Sequence, residues 1–317
     1  SAVSAEQQAI KDLVREFAVE EVCPEMAAAD ETETFPEDVW DGLAELDLTG
    51  LTVPEEYGGF GADSTTYAVV NEELAYGGLA VATALSVHCL ATSCIAAFGS
   101  EAVKEEWLPE MADGRPVGMF CLSEPEAGSN PAEMSTAATY DAEADEYVLN
   151  GQKQWITNGE RGGVAVVFAK VDGADDGVTQ FLVPADAEGF EVGKKEHKLG
   201  LRASDTTGIT FDDCRIPAEY RLTAEGRGLS AAFRTLTEGR VGIAAQAVGI
   251  AQAALDVATA YAKERRTFGR AIGEHQAIGH KLADMQTEIE AARALVWRAA
   301  RLKEAGRPHT VEGAQAK

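Results

Sequence analysis

The chain has 317 residues, long for a single hydrophobic core, so two or three domains are expected. It is 45% hydrophobic and 7% aromatic, which excludes a disordered chain. Lys and Arg number 27 against 53 Asp and Glu, and a net charge of −26 repels nucleic acid and anionic membrane and excludes both as partners. The acids are scattered, as in 16–33, 141–146 and 172–176, the pattern of a solvated surface. They suit a halophilic protein that loses stability at low salt, where carboxylates repel one another unscreened. No charged-then-apolar leader opens the chain, and no apolar run reads as long enough to cross a bilayer, so no membrane insertion and a cytoplasmic location are expected. The cysteines Cys23, Cys89, Cys94, Cys121 and Cys214 show no CxxC or pairing pattern and read as reduced, buried thiols. His275 and His280 are five apart, which does not stack them on one helix face, and no metal is expected.

Residues 1 to about 116 read as helices. Ser4 is placed as an N-cap with Gln7 as its capping-box partner, and Ile10, Leu13, Val14 and Phe17 follow at helical spacing. Pro36 starts a second helix carrying Val39, Trp40, Leu43 and Leu46. The run Pro54 to Gly61 holds too many glycines for a regular element. With no strand before it and no phosphate-binding lysine after it, it reads as a loop. Residues 64–98 read as two packed helices broken near Gly77 and Gly78, and His88 among Leu85, Val87, Cys89 and Leu90 reads as a hydrogen-bonded core residue rather than a catalyst. Gly99 stops that helix. Ser100 starts the next, with Glu101 suiting the dipole of its first turn.

At Gly118 the period turns from helical to alternating. Residues 118–122, 147–149, 164–171, 179–183 and 209–211 are short β-rich runs, and Leu149-Asn-Gly-Gln152 reads as a tight hairpin. Strands with no helices between them predict a small antiparallel barrel or sandwich ending near Pro217. Helices return at Gly228. Arg240 to Lys263 carries Val241, Ala244, Ala245, Val248, Ala251, Leu255 and Ala258 on one stripe. Gln276 to Lys303 carries a second stripe from Ile278 to Leu302, and paired stripes predict a bundle. Gly306 and Pro308 end that helix, and Glu312 to Lys317 reads as the start of another. The expected class is α+β: a helical domain over 1–116, a middle antiparallel β-barrel over 117–222, and a helical bundle over 223–317 that reads as truncated.

The chemistry lies in three stretches. They are Phe120-Cys-Leu-Ser-Glu-Pro-Glu-Ala-Gly-Ser-Asn130, Lys153-Gln-Trp-Ile-Thr-Asn158 and Arg265-Arg-Thr-Phe-Gly269. Neither a βαβ unit nor a GxGxxG run accompanies them. A flavin dinucleotide would then be held by backbone and hydroxyl donors on strands, and by an arginine at its pyrophosphate. In this order the stretches resemble the acyl-CoA dehydrogenase family, and the resemblance runs from about Glu6 to the last residue. It implies FAD, with Phe120, Leu122 and Ser123 lining the isoalloxazine, Ser129 at the pyrophosphate and on the substrate side, Trp155 packing against the ring and Thr157 donating near N5. A hydroxyl donor there favours negative charge arriving on the ring. Arg265, Thr267 and Phe268 match a segment that a neighbouring subunit contributes. Taken singly, these residues also fit a Trp buried in a barrel hairpin and a basic pair at a helix end. Glu126 and Asn130 depart from the family's Gly and Asp, and Glu126 sets a bulky acid on a turn near the pyrophosphate.

Leu236-Thr-Glu-Gly-Arg240 resembles the family's helix start beside the thioester. Arg240 is expected to position the substrate, and Thr237 stands where many members have Asp. The implied reaction is α,β-dehydrogenation of a short-chain acyl-CoA, with electrons passed to an electron-transfer flavoprotein. The catalytic base is not identified. Some members carry it where this chain has Gly239, and Glu238 is turned about 100° away on a helix. Gly239 fits the butyryl-CoA-like branch, whose Glu lies in a later Tyr-Glu-Gly-Thr-like hairpin; that Glu is expected beyond Lys317. The resemblance also implies a homotetramer, a dimer of dimers, with at least a dimer expected from 265–269. Two alternatives stay open: a non-catalytic flavin or acyl-CoA binding subunit, and an oxygen-reacting oxidase or monooxygenase of the same fold.

Overall fold

The computed structural model describes residues 3–172 and 177–317, so the acidic run 172–176 lies, beyond Asp172, outside the described residues. The chain forms two compact units, one of Ser1–Met26, Asp63–Ala82 and Thr237–Lys317, the other of Ala27–Ala62 and Thr83–Leu236. In chain order the helices are α1 (Ala5–Phe17), α2 (Cys23–Thr32), α3 (Glu37–Glu45), α4 (Ser64–Gly77), α5 (Leu79–Phe98), α6 (Glu101–Ala112), α7 (Gly228–Glu264), α8 (Gln276–Glu304) and α9 (Thr310–Ala316).

In the first unit, Ser4 caps α1 in the expected reciprocal box, its hydroxyl taking the Gln7 N–H at 3.1 Å while the Gln7 side chain takes the Ser4 N–H at 3.0 Å. The two stripes meet as predicted: Val241, Ala244, Ala245, Val248 and Leu255 of α7 share a core with Ile289, Val296, Ala299 and Ala300 of α8 and Ala68 of α4. Paired polar groups cross this core. Glu72 of α4 is bonded by Arg293 Nε of α8 at 2.8 Å, Arg293 Nη2 donates to Gln252 of α7 at 2.9 Å, and Gln246 donates to Asn71 at 2.8 Å. Small residues let the helix backbones touch. A Cβ on Gly249 would lie 2.1 Å from the Glu72 carbonyl oxygen, and one on Gly77 would lie 2.2 Å from that of Ala18. Backbone cannot swing aside as a side chain can, so Gly249→Ala is expected to destabilise the fold by about 3 kcal/mol, read from the urea midpoint. A loss under about 0.5 kcal/mol would refute the close approach.

The second unit is built on one seven-stranded sheet. Its strands are β1 (Gly118–Cys121), β2 (Ala137–Asp141), β3 (Glu146–Thr157), β4 (Val164–Val171), β5 (Val178–Pro184), β6 (Phe190–Lys195) and β7 (Thr206–Pro217). The order is β1-β4-β2-β3-β7-β6, with β5 on β4. The wholly antiparallel arrangement expected from sequence is corrected here, because β1 and β2 both run parallel to β4. The expected hairpin at Asn150-Gly151 is corrected too. β3 runs straight through both residues, and the ladder to β7 shifts register between Leu149 and Gly151. Gly151 has φ +151° and a Cβ there would meet Thr136 Oγ1 at 2.5 Å, so the dipeptide forms a bulge under a close backbone approach. Leu108 and Met111 of α6 pack in one core with Met119, Val166, Phe168 and Phe181. His88 is fully buried, as expected of a core histidine.

The expectation of no membrane-length apolar run fails. α5 and α7 are both long and apolar enough to cross a bilayer, because their many alanines add up over 20 residues and more. Of that stretch of α5, 61% is buried inside the protein, as in a core helix. Four of the five cysteines are buried, and Cys23 is exposed, contrary to expectation.

Candidate functional site

Two of the three stretches converge in the sheet unit. Gln154 N–H donates to the Ser123 carbonyl at 2.9 Å, and Lys153 Nζ donates to the Leu122 carbonyl at 3.1 Å. The chain then turns tightly from Glu124 to Ala127, with backbone bonds of 3.0 and 3.2 Å in both directions. Pro125, Glu126, Gly128 and Ser129 on this loop are exposed, so Glu126 points its acid into solvent. Phe120 is half-buried, its ring 5.1 Å from that of Phe168.

Past Lys153 the β3–β7 ladder shifts again, and this second bulge re-aims the motif. Trp155 has φ +57° and Asn158 φ +64°, a backbone region that non-glycine residues rarely hold. Trp155 is 62% exposed, which rules out the barrel-core reading of its ring. Packing of the indole therefore does not account for the left-handed backbone at this position. The far end of the motif is nailed down. Asn158 donates to the carbonyls of Ala84 and Gly118, both at 3.1 Å, and Asp205 takes the Glu160 N–H at 2.6 Å. Burial pushes the Asp205 carboxyl above its ordinary value, against those N–H bonds. Ser123 N–H, Ser123 Oγ and Thr157 Oγ1 have no hydrogen-bond partner among the described residues, so three donors stand ready on a rigid frame.

The third stretch lies in the helical unit. β8 (Arg266–Thr267) and β9 (Arg270–Ala271) form a two-stranded hairpin whose tip residues, Phe268 and Gly269, have φ +50° and +79°. Two positive φ values at the tip are those of a type I′ turn. Phe268 is 97% exposed, and His275 braces the hairpin through Thr267 Oγ1 at 2.9 Å. Arg265 is exposed as well. Arg240 is half-buried and is not at a helix start: α7 begins at Gly228, placing Arg240 more than about three turns inside. Among the described residues it makes no ion pair. Glu238 is engaged by Lys303 at 3.1 Å.

The sequence reading gave no role to Lys153 or Glu124. Both are buried and ion-paired at 2.7 Å. A lysine at an inward position of an alternating strand is the signal that could have found them.

Family models for the N-terminal, middle and C-terminal domains of acyl-CoA dehydrogenase match residues 4–115, 119–214 and 226–317. The chain belongs to the acyl-CoA dehydrogenase family. The short-chain specific acyl-CoA dehydrogenase of Clostridium acetobutylicum is 41% identical over 318 aligned residues, spanning 99% of this chain and 83% of that one. Butyryl-CoA dehydrogenase from Megasphaera elsdenii superposes with a TM-score of 0.95 at 38% identity, over 100% of this chain and 84% of the other. A chain from the structural work on the electron transferring flavoprotein of Acidaminococcus fermentans gives 0.96 at 39% identity, over 99% and 83%. Acyl-CoA dehydrogenases are FAD-dependent oxidoreductases of fatty acid β-oxidation. The residues present fit that cofactor: donors just past the end of β1 and at the end of β3 would suit a polar ring edge, and the exposed indole would offer a face for stacking.

Proposed function

We propose that this acyl-CoA dehydrogenase oxidises a short-chain acyl-CoA to its trans-2-enoyl-CoA and passes the electrons to an electron-transfer flavoprotein. The observation that carries the reading is the convergence of 120–123 and 153–158 around three unpartnered donors and an exposed Trp155. Phe120, Leu122, Ser123, Trp155 and Thr157 would hold the isoalloxazine and Ser129 the pyrophosphate. Arg265, Thr267 and Phe268 would reach the FAD of a second copy, which an exposed Phe268 supports. When bound, FAD supplies the hydride acceptor. Ser123 and Thr157 orient it by hydrogen bonds, and Arg240 orients the thioester. The proton step needs a carboxylate other than Glu238, which Lys303 already engages. Short-chain preference and the flavoprotein partner rest on the relatives' names; a dimer of dimers and a reducing, cytoplasmic setting complete the proposal.

The test is an anaerobic flavin spectrum before and after butyryl-CoA. Bleaching of the oxidised band is the expected result. A yellow protein that binds the thioester without bleaching would turn the reading to a binding subunit, and failure to take up FAD would overturn it.

A further inference from the structure

The peptide joining Leu122 to Ser123 is held in an unusual way. Its carbonyl oxygen accepts from the Lys153 ammonium at 3.1 Å, and Lys153 is fully buried. A trans peptide points its N–H opposite to its C=O. That N–H belongs to Ser123 and has no partner among the described residues, although Ser123 sits half-buried at the site. Its frame is fixed from the other side by the 2.9 Å bond from Gln154 N–H to the Ser123 carbonyl. The ammonium is fixed in turn. Glu124 Oε1 lies 2.7 Å from it, Glu124 Oε2 takes the Ser135 N–H at 2.7 Å, and Oε1 takes the Thr136 N–H at 3.1 Å. A charge bound to a peptide oxygen polarises that peptide and strengthens its N–H as a donor, more so in a low-dielectric interior.

We propose that Lys153 is a positioning residue that polarises the Leu122–Ser123 peptide, so that the Ser123 N–H favours the reduced, more negative flavin over the oxidised one. The proposal rests on the flavin reading above. Burial alone does not explain the arrangement, because a buried ion pair stabilises a fold no better than apolar residues of similar volume.

The experiment compares FAD dissociation constants in the oxidised and reduced states for the wild type and for Lys153→Met/Glu124→Leu. Removing both charges leaves none buried alone, but leucine cannot accept the Ser135 and Thr136 N–H bonds, so the unfolding midpoint is expected to fall while the protein still folds. The preference for reduced over oxidised flavin is expected to fall about tenfold, which for a two-electron couple lowers the potential by about 30 mV. A purely structural role would move stability and leave this ratio unchanged, and that outcome overturns the proposal. Should the double variant not fold, Lys153→Met/Glu124→Gln keeps the carbonyl oxygen that can take the Ser135 and Thr136 bonds, and the same ratio is read. Wild-type protein that takes up no FAD would defeat the flavin reading itself, a failure distinct from an unchanged ratio.

Discussion

At pH 4 the folded state is expected to be about 3 kcal/mol less stable than at pH 6.5 through His88 alone. His88 Nδ1 accepts the Gly118 N–H at 2.9 Å, so that nitrogen carries no proton, and Nε2–H is shared between the carbonyls of Thr49 and Met111, both at 3.0 Å. Burial lowers its pKa from the ordinary 6.5 to about 4, against the opposing pull of the two carbonyls. The sign follows from the depressed value. The neutral ring's contribution is fully present above pH 6.5 and is lost as pH falls toward 4, at about 1.4 kcal/mol per pH unit. Other groups titrate in the same range. Burial raises Glu124, but Lys153 outweighs it and holds that carboxyl low, so its contribution is also lost in acid. Burial raises Glu73 and Asp205 above their ordinary values, and they oppose the loss. Urea midpoints of wild type and His88→Gln between pH 7 and 4 separate these effects. The variant is expected to be weaker at pH 7 and flatter below it, whereas parallel profiles would show that His88 does not control the slope.

Arg293→Ala is expected to destabilise the protein by about 3 to 5 kcal/mol, the effect of stranding a buried charge. The Glu72 side chain is only 4% exposed, and its ion-pair partner is Arg293 Nε at 2.8 Å. The same guanidinium bridges to Gln252 and Glu290, so α4, α7 and α8 lose a common tie. Arg293→Leu/Glu72→Leu is expected to recover most of the loss, since neither charge is then left alone. Chemical denaturation of the single and double variants checks both statements. A single variant within about 1 kcal/mol of wild type would mean that water reaches Glu72.

Helix boundaries were legible because their signals are local. Ser4 with Gln7, Ser100 and Gly306 each act on neighbouring backbone groups. β4 and β5 were legible as mostly apolar runs, and both are buried on both faces. β2 and β6 were not, since Ala137–Asp141 and Phe190–Lys195 alternate poorly and leave much of their length exposed. Asn150 and Gly151 misled because a hairpin turn and a bulge both call for a residue that tolerates positive φ. Only the partner strand, far off in sequence, decides between them. Arg240 was misplaced because the resemblance put a helix start at Leu236–Arg240, whereas α7 begins at Gly228 and passes through it. The three stretches were singled out through family resemblance, but the Glu124–Lys153 tie was not. Its members are 29 residues apart and belong to types usually found on the surface.

The distribution of thiols makes the native protein its own reporter of local opening. A thiol reagent meets Cys23 at once, because it alone among the cysteines is exposed. Burial pushes Cys89 and Cys121 up to about 12, so almost no reactive thiolate forms there while the fold is closed. Labelling at Cys89 and Cys94 therefore times the opening of α5, at Cys121 that of β1, and at Cys214 that of β7. Four labelling rates from one unmodified sequence would rank which parts of the sheet unit come apart first.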